Sequence, residues 1–116
     1  MSQRVERVQK LAREVLGEAI QNLKDPRVGF ATVTAVRVTP DLRMARVFVS
    51  VMGQDKDKAA TMAGLHSARR HLRAELGREM RTKYTPELVF ELDEGPETAQ
   101  HLQELLRRLH QDEEPS

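Results

Sequence analysis

The chain is 116 residues long, the size of one domain with a single core, and it lacks cysteine, which excludes disulfides, thiolate metal sites and cysteine nucleophiles. No apolar run approaches the roughly 18 residues of a membrane span, so no membrane partner is expected. The 19 basic and 18 acidic side chains nearly cancel, yet residues 1–93 hold 17 and 12 of them (net +5) while residues 94–116 hold 2 and 6 (net −4).

The N-terminus alternates charge through Arg4-Val5-Glu6 and lacks the apolar stretch of a secretory signal, so a cytoplasmic protein is expected. Val5, Val8, Ala12, Val15, Leu16, Ala19, Ile20 and Leu23 recur at helical spacing and predict a first amphipathic helix. Ser2 stands where a cap belongs, and Pro26 ends the pattern by restricting Asp25 and removing an amide donor. The β-branched run Val28–Val38 predicts a strand, Thr39-Pro40-Asp41-Leu42 a turn, and Arg43–Val51 a second strand. In that second strand Ala45, Val47, Val49 and Val51 alternate with Met44, Arg46, Phe48 and Ser50, giving one apolar and one mixed face of an antiparallel hairpin.

The segment 53–58 reads as a polar loop able to start a helix, and helical spacing returns from Ala59 to Met80. Met62, Leu65, Ala68, Leu72, Leu76 and Met80 mark its apolar side. An unbroken helix would turn Arg69 toward that stripe, which predicts a kink around residues 67–70, and Gly64 and Gly77 weaken a single long helix further. Thr85-Pro86 interrupts, and Glu87–Asp93 predicts a third strand. Gly95-Pro96-Glu97 then reads as a helix start. A narrow stripe from Ala99 through Leu102 to Leu109 follows, and residues 111–116 are polar enough to be disordered.

Enzymatic constellations are scarce. Phosphate-loop and dinucleotide fingerprints are absent. His66 and His71 are five residues apart and diverge by about 140° on a helix, so no metal site is expected. Few aromatics are available to wall a cofactor pocket, and neither a cofactor nor catalysis is expected. The basic constellation is denser: Arg69, Arg70, Arg73, Arg78, Arg81 and Lys83 stand against only Glu75 and Glu79, a local net of +4. Guanidiniums at one-turn spacing can follow the phosphates of folded RNA. The bland alternative is a solvated helix with internal ion pairs. Arginine outnumbers lysine 14 to 5, which suits phosphate but also follows from a GC-rich genome. With few aromatics, phosphate and shape should dominate over base stacking.

Several segments resemble the ribosome-binding factor A family. They are Arg4-Val5, Lys24-Asp25-Pro26-Arg27-Val28-Gly29, Val36-Arg37-Val38-Thr39-Pro40-Asp41-Leu42, Ala45-Arg46-Val47-Phe48-Val49, Leu72-Arg73-Ala74-Glu75-Leu76-Gly77 and Pro86-Glu87-Leu88-Val89-Phe90. The likeness runs in order from about residue 3 to 93. It implies an α+β, type II KH-like fold, α-β-β-α(kinked)-β, with helices packed on one face of a three-stranded sheet. It implies a partner too: the free immature 30S subunit and its 16S rRNA, with a role in late maturation, 5′-end processing and growth in the cold. The family's Ala-x-Gly kink falls on Ala68-Arg69-Arg70, where an arginine replaces the usual glycine.

Together these readings predict a KH-like RNA-binding domain over residues 1–93 and an acidic extension over 94–116. They predict a monomer and an RNA contact through Arg46, Arg70, Arg73, Arg78, Arg81 and Lys83, with Arg4, Arg7, Lys10 and Arg13 as the fallback surface. The competing reading is a protein–protein adaptor or homodimer using Met44, Arg46 and Phe48 or the Leu102–Leu109 stripe.

Overall fold

The computed structural model describes residues 3–95 and 103–109. The predicted cap at Ser2, the helix start at Pro96-Glu97 and the disordered end at 111–116 lie outside those residues. Residues 103–109 are helical and exposed, Leu105, Leu106 and Leu109 among them.

The elements in chain order are α1 (Gln3–Gln21), β1 (Ala31–Val38), β2 (Met44–Val51), α2 (Asp55–Ser67), α3 (Arg69–Glu79) and β3 (Glu87–Leu92). This is the expected α-β-β-α(kinked)-β order, an α+β fold. The sheet order is β1-β2-β3, with β1 antiparallel and β3 parallel to the central β2. A parallel neighbour cannot follow a tight turn, and the helical crossover α2–α3 supplies the length it needs.

Alternation along β2 sorts the sheet's faces as predicted. Ala45, Val47, Val49 and Val51 are buried under the helices, whereas Met44 and Arg46 are exposed and Phe48 and Ser50 half-buried on the helix-free face. From α1 come Val5, Val8, Ala12, Leu16 and Ile20, and from the crossover Leu65, Leu72 and Leu76. Burying a leucine of this kind contributes roughly 1.5–3 kcal/mol, so these few side chains decide how the helices lie.

Two boundaries differ from expectation, each for a local reason. The first strand begins at Ala31 rather than Val28. Upstream, the Asp25 carboxylate accepts from the backbone and side chain of Arg27, and the Val28 amide donates to the Asp25 carbonyl, closing a turn. The Gly29 amide donates to Thr61 Oγ1 on α2, so these residues attach to a helix instead of the sheet ladder. The second helix starts earlier than Ala59: the Gln54 amide donates to the Asp57 carboxylate at 2.8 Å, and a capping box opens α2 at Asp55.

The break between α2 and α3 falls within the predicted window. Ala68 alone separates them, at φ −85° and ψ 3°, in the bridge region that any L-residue can adopt. Among the described residues the only non-glycine with positive φ is Leu42, so Arg70 in the glycine position sits in an ordinary helix without strain. The glycines do something else. At Gly64 a Cβ would stand 2.6 Å from Val28 Cγ2, and at Gly77 one would stand 2.9 Å from Thr85 Oγ1, so each lets a neighbouring segment lie close against a helix.

Candidate nucleic-acid interface

The basic side chains of α3 divide by helical angle. Arg70, Arg73, Ala74 and Gly77 lie on the flank turned toward the loop before β3, and with Lys83, Tyr84 and Thr85 they line an open depression of about 490 Å³. Glu75 and Glu79 lie on the opposite flank, where with Glu14 and Glu18 of α1 they line a groove of about 440 Å³. One helix thus carries a cationic and an anionic side.

Of the six residues expected to contact RNA, Arg70, Arg73 and Lys83 come together in the first depression. Arg70 and Arg81 are exposed and make no ion pair or side-chain hydrogen bond among the described residues. Arg73 is half-buried and holds the fold together. Its Nη2 donates to the Thr85 carbonyl at 2.7 Å, its Nε donates to the Thr85 and Pro86 carbonyls at 3.2 Å, and its Nη1 pairs with Glu87 at 3.2 Å. Carbonyls at a chain reversal lack ladder partners, and a planar guanidinium with several donors can satisfy two of them at once. Arg78 is turned to the anionic flank, paired with Glu75 at 2.8 Å, as the solvated-helix alternative anticipated.

Arg46 stands apart from the rest. It projects from the helix-free face of the sheet, where its Nε meets Glu91 on β3 at 2.7 Å and its guanidinium lies 5.2 Å from the centre of the Phe48 ring. The Glu91 carboxyl is held below its ordinary range by the hydrogen bond from Arg46, so the pair stays ionised. Arg69, which an unbroken helix would turn toward the apolar stripe, is half-buried.

Two residues that sequence reasoning did not select belong to the same neighbourhood. Tyr84 is 55% exposed, with Lys83 Nζ 5.5 Å and Arg43 Cζ 5.9 Å from its ring centre. Arg43 reaches it from the hairpin turn. Leu42 adopts φ 61° there with its side chain buried in the core, and the Arg43 carbonyl accepts from the Glu87 amide at 2.8 Å. An aromatic in a Lys-Tyr-Thr-Pro loop was the available clue, but the pairing with Arg43 depends on strand order. Among the described residues no group of three or more His, Asp or Glu is placed to hold a metal ion, and no helix is long and apolar enough to cross a membrane.

The comparisons with known proteins agree on one family. The family model described as ribosome-binding factor A matches residues 4–106, running on past the end of β3. The chain is 44% identical to ribosome-binding factor A of Thermobifida fusca over 110 residues, 95% of this chain and 71% of that one. It is 40% identical to that of Citrifermentans bemidjiense over 104 residues, 90% of this chain and 85% of that one. The crystal structure of ribosome-binding factor A from Thermus thermophilus superimposes with a TM-score of 0.67 at 32% identity, covering 76% of this chain and 94% of that one. A homology model of the Thermus thermophilus factor, fitted into a cryo-EM map of its complex with the 30S subunit, aligns with a TM-score of 0.62 at 32% identity, over 73% of this chain and 90% of that one.

Proposed function

Because the chain belongs to the ribosome-binding factor A family, we propose that it binds the free, immature 30S subunit and its 16S rRNA through the cationic flank of α3. In this reading it acts as a cytoplasmic monomer, one copy per subunit. It supports late maturation, including 5′-end processing and growth in the cold, by occupying rRNA and not by chemistry of its own. The observation that carries it is the clustering of Arg70, Arg73 and Lys83 on one side of a helix whose carboxylates all lie on the other. A phosphate backbone meets attraction on the first side and repulsion on the second, which fixes an orientation as well as an affinity. The segment 94–116, with its net charge of −4, is an extension that adds nothing to phosphate affinity.

The test uses exposed cations that form no ion pair among the described residues: Arg70→Glu, Arg81→Glu and Lys83→Glu combined. Titration onto small subunits at several salt concentrations should show weaker binding. The log–log salt slope should fall in magnitude by about 2–3, since each phosphate contact contributes roughly 0.7–0.9. Thermal stability should change by less than about 1 kcal/mol per site, as is usual for exposed charges. A well-folded variant that binds as tightly with the same slope would move the interface elsewhere, first to Arg4, Arg7, Lys10 and Arg13 on α1.

The adaptor reading retains one favourable observation: Met44 and Val89 are exposed, 43% and 39%, on the helix-free face beside the Arg46–Glu91 pair. Sedimentation separates the two readings, because an adaptor has no reason to migrate with free small subunits.

A further inference from the structure

Tyr84 is the chain's only tyrosine, and the chain has no tryptophan. The core is aliphatic, built from valine, leucine, isoleucine and alanine with one methionine, so a large ring left 55% exposed does nothing for packing there. The backbone of the loop that carries it is nonetheless held at several points. Arg73 holds the carbonyls of Thr85 and Pro86, Thr85 lies against Gly77, and the Tyr84 carbonyl accepts from Thr82 Oγ1 at 2.8 Å. Arg73, Tyr84 and Thr85 form the wall between two depressions. One is completed by Arg70, Ala74, Gly77 and Lys83, the other by Arg43 and Glu87. Glu87 is already paired with Arg73 and the Arg43 charge acts on the Asp41 carboxylate, whereas Lys83 makes no ion pair among the described residues.

An exposed ring on a held backbone, flanked by two cations at 5–6 Å, selects its ligand by chemistry. The face of an aromatic ring carries negative potential, which repels a bare phosphate or carboxylate from the ring itself. A cationic ligand is opposed by Arg43, Lys83 and Arg70. A neutral planar group joined to phosphates satisfies both parts of the site at once, and a nucleotide is that combination. The base must be unpaired, because bases within a duplex have their faces occupied by their own neighbours.

Resting on the RNA-binding reading above, we propose that Tyr84 stacks on one unpaired base of single-stranded RNA while Arg43 and Lys83 hold the phosphates on either side of it. Lys83, a point charge on a flexible stem, gives up its position beside the ring to the incoming base and turns to a phosphate. The cationic flank of α3 supplies sequence-independent attraction, and Tyr84 adds a preference for RNA whose bases are accessible.

The full chain reports on this directly, since Tyr84 is its only tyrosine and tryptophan is absent. Tyrosine emission, corrected for absorption by the bases, is followed during titration with a five-residue oligouridylate. The control is an abasic ribose-phosphate strand of the same length and charge. The oligouridylate should quench the emission and bind roughly tenfold tighter than the abasic strand, as one stacked base implies. Tyr84→Phe should keep that difference in affinity. Tyr84→Ala, with melting curves to show it folded, should abolish the difference and leave the salt slope unchanged. Equal binding of both strands with unaltered emission would overturn the stacking while leaving phosphate binding intact. Failure to bind either strand would overturn it too, and co-sedimentation with small subunits would then show whether the RNA-binding reading had failed with it.

Discussion

The two flanks of α3 differ in sign although eleven consecutive residues make both. Toward α1 the helix presents Glu75 and Glu79 to Glu14 and Glu18, and toward the loop before β3 it presents Arg70 and Arg73 to Lys83 and Tyr84. A local charge count of +4 averages over this division and hides it. A charged segment's worth to a polyanion lies in how its charges are segregated. Repulsion on one side excludes wrong orientations as surely as attraction on the other favours the right one.

The most damaging way to break the contrast is to remove the residue that builds the cationic side. Arg73→Ala deletes the hydrogen bonds to the Thr85 and Pro86 carbonyls and the pair with Glu87. Hydrogen bonds to a charged group contribute about 1.5–3 kcal/mol, so denaturant unfolding should show a loss near that size, together with weaker RNA binding. Neither Arg70→Ala nor Arg81→Ala should lower stability comparably, because both side chains are exposed and unpartnered among the described residues. Equal losses at Arg73 and Arg70 would mean that the loop is held by something else.

A gentler change sharpens the contrast from the other side. Glu75→Gln with Glu79→Gln removes two negative charges from the α1-facing flank and should tighten binding at low salt by less than about 1 kcal/mol. The salt slope should stay the same, since no new phosphate contact forms. A steeper slope would show that RNA reaches the groove between α1 and α3.

The smallest effect concerns acid, and it lies away from both flanks. Asp93 is held below the ordinary carboxylate range by the hydrogen bond from the Thr34 hydroxyl at 2.6 Å and by the Gly95 amide. Asp25 is lowered by its hydrogen bonds from Arg27. A lowered folded-state pKa stabilises the fold above the unfolded chain's value, near 3.8, and that contribution disappears as pH falls through the folded value. Melting temperature should therefore be level above about pH 5 and decline below about pH 4. Thr34→Val should make the decline shallower, with circular dichroism as the measurement.

Periodicity alone disclosed the α1 stripe, the buried alternation of Ala45, Val47, Val49 and Val51, and the window of the helix break. These patterns depend on which residues meet water, and water is the same everywhere along the chain. What periodicity could not disclose depends on partners distant in sequence. Arg73 reads as one more exposed cation until Thr85 is brought beneath it. Arg46 joins the arginine count although it lies across the sheet from α3. Arg43 and Tyr84 become neighbours because β3 docks beside β2, placing the Glu87 amide against the Arg43 carbonyl. Gly64 and Gly77 suggest weak points in a helix, and they prove to be close contacts, while the break falls on Ala68.

The strand order has a kinetic consequence. β2 gains its first neighbour across the short turn at residues 39–43, but its second only after the whole crossover of residues 52–86 has been laid down. Closing the longer loop costs more chain entropy before any contact repays it, so α1 and the hairpin are positioned to assemble first and β3 to dock last. The loop carrying Lys83 and Tyr84 precedes β3 directly and is completed with it. The loop of Lys83 and Tyr84 is therefore expected to be the last part of the described fold to become native, and the first to be lost when β3 detaches.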